Sequence, residues 1–177
     1  MPFDHHEHQR LLEAVENAQG NAEKGASFES LVEALLTSLD GVQIEHRDAR
    51  MDAEEIDLVV WNAQVEEVFR PWDAVILVEC KNWSTRVDAP QLDSFIGKMR
   101  RRNLKTGLFV AANGVTGGFL DGGGGSVGAT ELIKSALQEG IRVVVVTLDD
   151  LRAIDSLDKL RDLLRTRYCG LFVHRVF

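Results

Sequence analysis

Hydrophobic positions recur along the chain with two different periods. Phe28, Leu31, Val32, Leu35, Leu36 and Leu39 share one stripe at helical spacing, with Gly41 just beyond, and predict a helix over residues 27–39. An earlier amphipathic helix is expected over 5–18, ending near Gly20. The period then shortens. Residues 42–46 alternate as a short strand, and 55–61 and 74–81, rich in Val, Ile and Leu, read as strands joined by a charged turn region over 64–71. Pro90 in a first turn, with Leu92, Phe95, Ile96 and Met99 on one face, predicts a helix over 89–102. A strand over 106–112 and a helix over 130–138, closed by Gly140, follow. The strand expected over 141–147 is apolar on both faces apart from Arg142, as in the middle of a parallel sheet. A helix over 157–165 and a last strand over 168–177 complete the reading. Early strands followed by alternating helices and strands imply an α/β layer structure with a mixed central sheet and right-handed crossovers.

Composition narrows this picture. The 177 residues suit one domain with an ample core, and 45% hydrophobic with 27% charged residues is a globular balance. Charges sum to 20 − 28 = −8, which excludes a basic field over the whole surface. Any nucleic-acid contact then needs a local basic patch or bound cations. Cys80 and Cys169 cannot build a disulfide framework. The start, Met1-Pro2-Phe3-Asp4-His5-His6, lacks the basic and apolar regions of a signal peptide, and no apolar run is long enough for a bilayer. The expectation is a cytoplasmic protein without a membrane partner. Glycines at 117–118 and 122–125 predict a mobile surface loop.

Chemistry concentrates between Glu55 and Trp83. The first strand reads Glu55-Ile56-Asp57-Leu58-Val59-Val60, and the second ends Val78-Glu79-Cys80-Lys81-Asn82-Trp83. Alternation puts Glu79 and Lys81 on one face of the strand and Cys80 on the other, where a buried thiol without nucleophilic role is expected. If the two strands pair as a hairpin, Asp57 lies beside Glu79. Two carboxylates at a sheet end are costly to bury unless a cation joins them. Oxygen ligands in that number suit Mg²⁺, which keeps waters and a substrate phosphate in its shell. Lys81 could then hold or deprotonate an attacking water, or stabilise developing phosphorane charge. The plain alternatives are a solvated Asp57 and an ordinary Glu79–Lys81 ion pair. A place inside or at the end of an apolar strand argues against both.

These residues resemble the PD-(D/E)XK nuclease superfamily, in particular its Mrr-like restriction endonuclease branch. The resemblance runs from about Gly25 to Asp150. It rests on Gly25-Ala26-Ser27-Phe28-Glu29 opening a core helix, Asp57, Glu79-Cys80-Lys81-Asn82-Trp83, Gln91, and Thr106-Gly107-Leu108-Phe109-Val110 with Gly117-Gly118-Phe119 after it. A Pro before the strand acid is absent, since Glu55-Ile56 precedes Asp57. The resemblance implies a restriction-endonuclease-like three-layer sandwich, a mixed central β-sheet flanked by helices, with residues 25–177 as the nuclease domain and 1–24 as an N-terminal helix. It implies Asp57 and Glu79 as ligands of Mg²⁺ (Mn²⁺ as substitute), with the Cys80 carbonyl joining them, and Lys81 as the catalytic amine. Glu29 matches the helix acid of the site, and Gln91 the polar residue facing the scissile phosphate. The implied activity is endonucleolytic hydrolysis of DNA, in restriction or defence against foreign DNA. Two-strand cleavage favours a homodimer. With no target-recognition domain in sight, a partner protein is a natural supplier of specificity.

Lys98, Arg101, Arg102 and Lys105, with Arg100, form the one dense positive cluster. They complement a helix C-terminus, and they also suit phosphate contact. Gln91, Lys98 and Arg102 share a stripe bordering the apolar face, as a cleft-lining row would. Glu29 is either a half-buried site acid or a first-turn acid favoured by the helix dipole. Two rival readings stand beside the nuclease. One is a catalytically inactive module that keeps the fold to bind nucleic acid or protein. The other is a dinucleotide site at Gly123, Gly125 and Gly128 with Asp149 about twenty residues on, weakened because no strand leads directly into the glycines.

Overall fold

The protein is described here by a computed structural model covering residues 3–51, 54–117 and 128–173. Asp4 opens the first helix. Its carboxylate accepts the N–H of His6 at 2.9 Å and of Glu7 at 3.2 Å, capping α1 (His5–Asn17). Gly20, at φ +75°, turns the chain into α2 (Gly20–Thr37). This helix begins seven residues before the predicted start at Ser27. Its first turns are largely exposed, so periodicity carries no signal there, whereas Phe28, Leu31, Val32, Leu35 and Leu36 are buried as expected.

Strands β1 (Val42–Met51), β2 (Glu54–Asn62), β3 (Val75–Lys81), β4 (Thr106–Ala111) and β5 (Arg142–Val146) form one sheet in the order β1-β2-β3-β4-β5. The first three pair antiparallel, and β3, β4 and β5 run parallel. This is the mixed central sheet the sequence implies. β1 is longer than the predicted 42–46 strand. Residues 45–48 are polar and exposed, and the extension is held by pairing with β2, such as Arg47↔Leu58 and Ala49↔Ile56, past a register shift between Ile44 and His46.

Helices cover both faces. α3 (Ala89–Arg101) packs Phe95 edge-on against Phe109, with centroids 5.4 Å apart, and α4 (Ala129–Gln138) lies beside it. Leu108, Val110 and Val146 point to the opposite face, toward Val32 and Leu36 of α2 and Leu160 and Leu164 of α6 (Leu157–Leu171). The short α5 (Leu148–Arg152), opened by a Thr147–Asp150 capping box, connects β5 to that layer. Leu11, Leu12 and Val15 of α1 enter the same core, and His8 Nε2 lies 3.0 Å from the Leu151 carbonyl oxygen. The boundary expected between residues 24 and 25 therefore falls within α2.

One strand is corrected. Residues 168–171 continue α6, with Tyr168 stacked on Trp72 at 5.7 Å and Leu171 buried. The apolar positions Leu160, Leu164 and Leu171 keep helical spacing to the end. Residues 174–177 lie outside the described residues, as do those of the predicted glycine loop from 118 to 127.

Gly107 sets how α3 sits on the sheet. A Cβ there would stand 2.7 Å from Met99 Sδ and 2.8 Å from Phe95 Cζ. The glycine thus lets α3 approach β4 closely, and Lys98 is the residue beside Met99.

Candidate active site

The β2–β3 ladder runs from Trp61↔Val75 to Leu58↔Val78 and stops. The next residue of β2 is Asp57. Its Oδ2 accepts the Cys80 N–H at 2.6 Å, replacing the backbone acceptor that a continuing ladder would supply. The carboxyl of Asp57 is therefore bonded to the amide between Glu79 and Lys81. The hairpin anticipated from sequence forms, and it brings the strand acid to the Glu-Cys-Lys end.

Glu79 and Lys81 share a face, with Lys81 Nζ 2.7 Å from Glu79 Oε1. Glu79 Oε2 is held by a second ammonium. Lys98 Nζ, reaching down from α3, lies 2.7 Å from it and donates to the Glu55 carbonyl at 2.5 Å. Lys98 is only 7% exposed, close to Glu79 at 6% and Asp57 at 9%. Sequence reasoning placed Lys98 among phosphate-contacting cations, and that position is corrected: it belongs to the buried carboxylate cluster. The stripe shared with Gln91 was the one sequence signal for this. The role of the Glu55 carbonyl had none.

Glu29, on α2, is near enough for the charges of Asp57 and Lys81 to act on it. Asn82 ties the strand end to that helix, its Nδ2 donating to the Lys24 carbonyl at 3.0 Å. Burial first, then the charges of Asp57 and Asp48, push the Glu29 carboxyl up to about 7, against the pull of Lys81 and Arg47. Burial and Glu79 likewise raise Asp57, which the Cys80 N–H and the two lysines only partly offset. For Lys81, burial works against the charge, but Glu79 and Asp57 outweigh it and its pKa is raised. Lys81 is thus an ammonium at neutral pH. The Cys80 thiol is buried and raised well above its ordinary range by desolvation, which suits a packing residue and no nucleophile.

Gln91 sits half-buried in the first turn of α3, its Oε1 buried without a hydrogen-bond partner. Arg101 and Arg102 both pair with Glu54, Arg102 at 3.0 Å, and Arg100 forks onto Glu139 at 2.9 Å. Lys105 is exposed, its backbone N–H bound to Asp73 Oδ2 at 2.5 Å. Trp83 is exposed two residues beyond Lys81. A cavity of about 770 Å³ lies elsewhere, between a 3-10 turn at Glu67–Phe69 and α6. As for the glycine rival, Gly123 and Gly125 lie outside the described residues. Gly128 packs on Gly117 so tightly that a Cβ would meet its Cα at 2.7 Å. Asp149 is engaged by Arg152 at 2.7 Å.

Among the described residues, no three His, Cys, Asp or Glu side chains converge as a ready metal cage. Mg²⁺ does not require one, since one or two carboxylates with waters and substrate phosphates suffice. Asp57 and Glu79 lie just past the last β2–β3 pair, and burial first, then neighbouring acids, raise the Asp57 and Glu29 carboxyls, a combination that a bound cation would offset. The residues fit a divalent ion of that kind.

Comparison with known proteins bears on the chain as a whole. No curated protein matches it. Among solved structures it is similar to Pyrococcus furiosus SfsA in complex with Ca²⁺, at 20% identity over 70% of this chain and 55% of that one, with a TM-score of 0.40. The restriction endonuclease family Mrr_cat matches residues 21–119, more than half of the chain, a span holding Glu29, Asp57, Glu79, Lys81, Gln91 and Lys98. With its mixed sheet between helical layers and its acids gathered at the sheet end, the chain belongs to the Mrr_cat restriction endonuclease family.

Proposed function

We propose that the protein is a metal-dependent endonuclease that hydrolyses phosphodiester bonds in DNA. The observation that carries this is the Asp57 carboxyl bound at 2.6 Å to the amide between Glu79 and Lys81. Asp57, Glu79 and the Cys80 carbonyl would hold Mg²⁺ or Mn²⁺. The ion, when bound, supplies Lewis-acid stabilisation of phosphate charge.

The remaining chemistry falls to the side chains. Lys81, protonated at neutral pH, orients the attacking water and donates to charge developing on the phosphoryl oxygens. Its charge makes it a poor general base. Glu29, raised to about 7, can carry a proton near neutrality, as a group relaying it away from that water requires. The unpartnered Gln91 Oε1 suits a contact made only with substrate or water. Lys105 is exposed for phosphate contact, whereas Arg101 and Arg102 must first give up Glu54. The reading extends to action on foreign DNA inside the cell, as a homodimer or with a partner that supplies target choice. No helix of the described residues is long and apolar enough to cross a membrane.

Incubation of purified protein with supercoiled plasmid and Mg²⁺ or Mn²⁺ should nick or linearise it. Chelation, Asp57→Asn and Lys81→Ala should each reduce cleavage at least about a hundredfold with the fold intact. Full activity in both variants overturns the assignment. A second reading, an inactive module, draws on one observation: both oxygens of Glu79 are already taken by lysines. Calorimetry with Mg²⁺ separates the two, since the module has no need to bind the ion at Asp57.

A further inference from the structure

Lys98 and Lys81 hold the same carboxylate, yet their surroundings differ. Lys98 comes from helix α3, has a side chain 9% exposed, and makes two contacts, at 2.7 Å to Glu79 Oε2 and 2.5 Å to the Glu55 carbonyl. Lys81 comes from the last residue of β3, has a side chain 22% exposed, and lies 2.7 Å from Glu79 Oε1. Withdrawing the Lys98 ammonium would strand a charge in a buried place, whereas Lys81 has solvent at hand.

The second contact of Lys98 is the more informative. Backbone pairing between β2 and β3 ends at Leu58↔Val78. Beyond that point Asp57 and Glu79 lie on strands no longer joined by the ladder. Lys98 spans the gap, with Glu55 two residues before Asp57 on one side and the Glu79 carboxylate itself on the other. The close seat of α3 over Gly107 holds the lysine backbone at this depth.

We propose that Lys98 is the positioning residue of the site. It braces the two acid-bearing strands and pins Glu79 Oε2. Oε1 is then the oxygen that accepts the divalent cation, and Lys81 is the ammonium that leaves it and turns toward substrate. This rests on the metal-dependent reading above. It adds which lysine stays, which one exchanges, and which oxygen is the ligand.

The test is Mn²⁺ binding without DNA, measured by calorimetry on the full chain and its variants, with folding checked by circular dichroism and melting in chelator. Removing a competing ammonium should tighten binding, so Lys81→Met is expected to bind Mn²⁺ severalfold more tightly than wild type. Removing the brace should weaken it about 10- to 100-fold in Lys98→Met, the usual scale for groups supporting a ligand. Lys98→Arg should recover part of the loss. Simple electrostatics alone would tighten both methionine variants, so tightening or no change in folded Lys98→Met overturns the proposal. The Mn²⁺ complex of the wild-type protein gives a second readout that needs no variant. Its crystal structure should keep Lys98 on Glu79 Oε2 and the Glu55 carbonyl while Lys81 has left Oε1, and the reverse exchange overturns the proposal. If wild type binds Mn²⁺, Asp57→Asn does not, and Lys98→Met binds as well as wild type, only the role of Lys98 falls. If neither wild type nor Asp57→Asn binds, the metal reading falls and this proposal with it.

Discussion

Glu66 and Glu79 are buried to nearly the same degree, 7% and 6% exposed, and each faces cations, yet the two surroundings are built differently. Glu66 is gripped by the fork of Arg161, with Nη2 at 2.7 Å and Nε at 3.0 Å, and also accepts the Asp40 N–H at 3.1 Å. The Arg161 contact pulls its carboxyl below the usual range against the cost of burial, and Arg161 also holds Asp158 at 3.0 Å. Glu79 instead meets two lysines, one on each oxygen, beside an Asp57 and a Glu29 whose carboxyls are raised. A planar bidentate fork satisfies one carboxylate fully and locks it. Point-charge ammoniums among clustered acids leave like charges facing one another and can be exchanged. Burial alone does not separate a structural acid from a chemical one. The kind of cation that holds the acid, and whether the carboxyls beside it are raised, do.

The sharpest way to break this comparison is to neutralise each acid in turn. Glu79→Gln should cost at least about a hundredfold in plasmid cleavage, as loss of a group acting on reaction charge does. Glu66→Gln should leave the rate per folded molecule unchanged. Stability should fall in both, since Glu79→Gln strands the buried Lys98 ammonium. Glu66→Gln is expected to lose about 2 kcal/mol in urea unfolding, because it breaks a charge-assisted fork. Equal effects of the two substitutions in both assays would erase the distinction.

The seat of α3 offers a smaller effect. Gly107→Ala places a methyl against Met99 and Phe95, both essentially inaccessible, and should destabilise by about 1–3 kcal/mol through overpacking. Cleavage by the folded fraction should also fall, since Lys98 moves with that helix. An unchanged rate would mean that α3 and the acids are uncoupled.

The pH dependence is the subtlest test, and its sign differs between the regions. Glu66, lowered in the folded state, contributes stability above the unfolded value of 4.5 that is lost as pH falls through its folded pKa. Glu29, raised from 4.5 to about 7, does the reverse: its share is present at low pH and lost as pH rises from 4.5 toward 7. Chelated wild-type protein should therefore lose stability relative to Glu29→Gln between about pH 5 and 7, followed by melting temperature. Relative to Glu66→Gln it should lose stability only below about 4.5. Parallel profiles for the two pairs would contradict the assigned surroundings.

Much of this protein is written in local pattern. The stripe from Phe28 to Leu36, the Val-rich β5 and the apolar runs of β2 and β3 each bury one consistent set of positions, and periodicity alone reveals them. An acid inside one apolar strand and Glu79-Cys80-Lys81 ending the next mark a candidate site, because charges seldom interrupt such runs without a use. Where exposure rather than burial held an element, the pattern fell silent: the polar half of β1 depends on its ladder, and the first turns of α2 have no core to face. The span 168–171 misled because a short apolar run looks alike in either period.

Sequence by itself therefore determined the layer order, the two acid-bearing strands and the identity of Asp57, Glu79 and Lys81 as a group. Only the tertiary structure decided that Lys98 leaves the basic cluster to join them, that Arg101 and Arg102 are drawn off by Glu54, and that the ladder ends one residue short of Asp57. The physical reason is reach. Periodicity records which way a residue faces within its own element, while the partner of a charge is settled by how closely another element packs, here by the room that Gly107 leaves for α3.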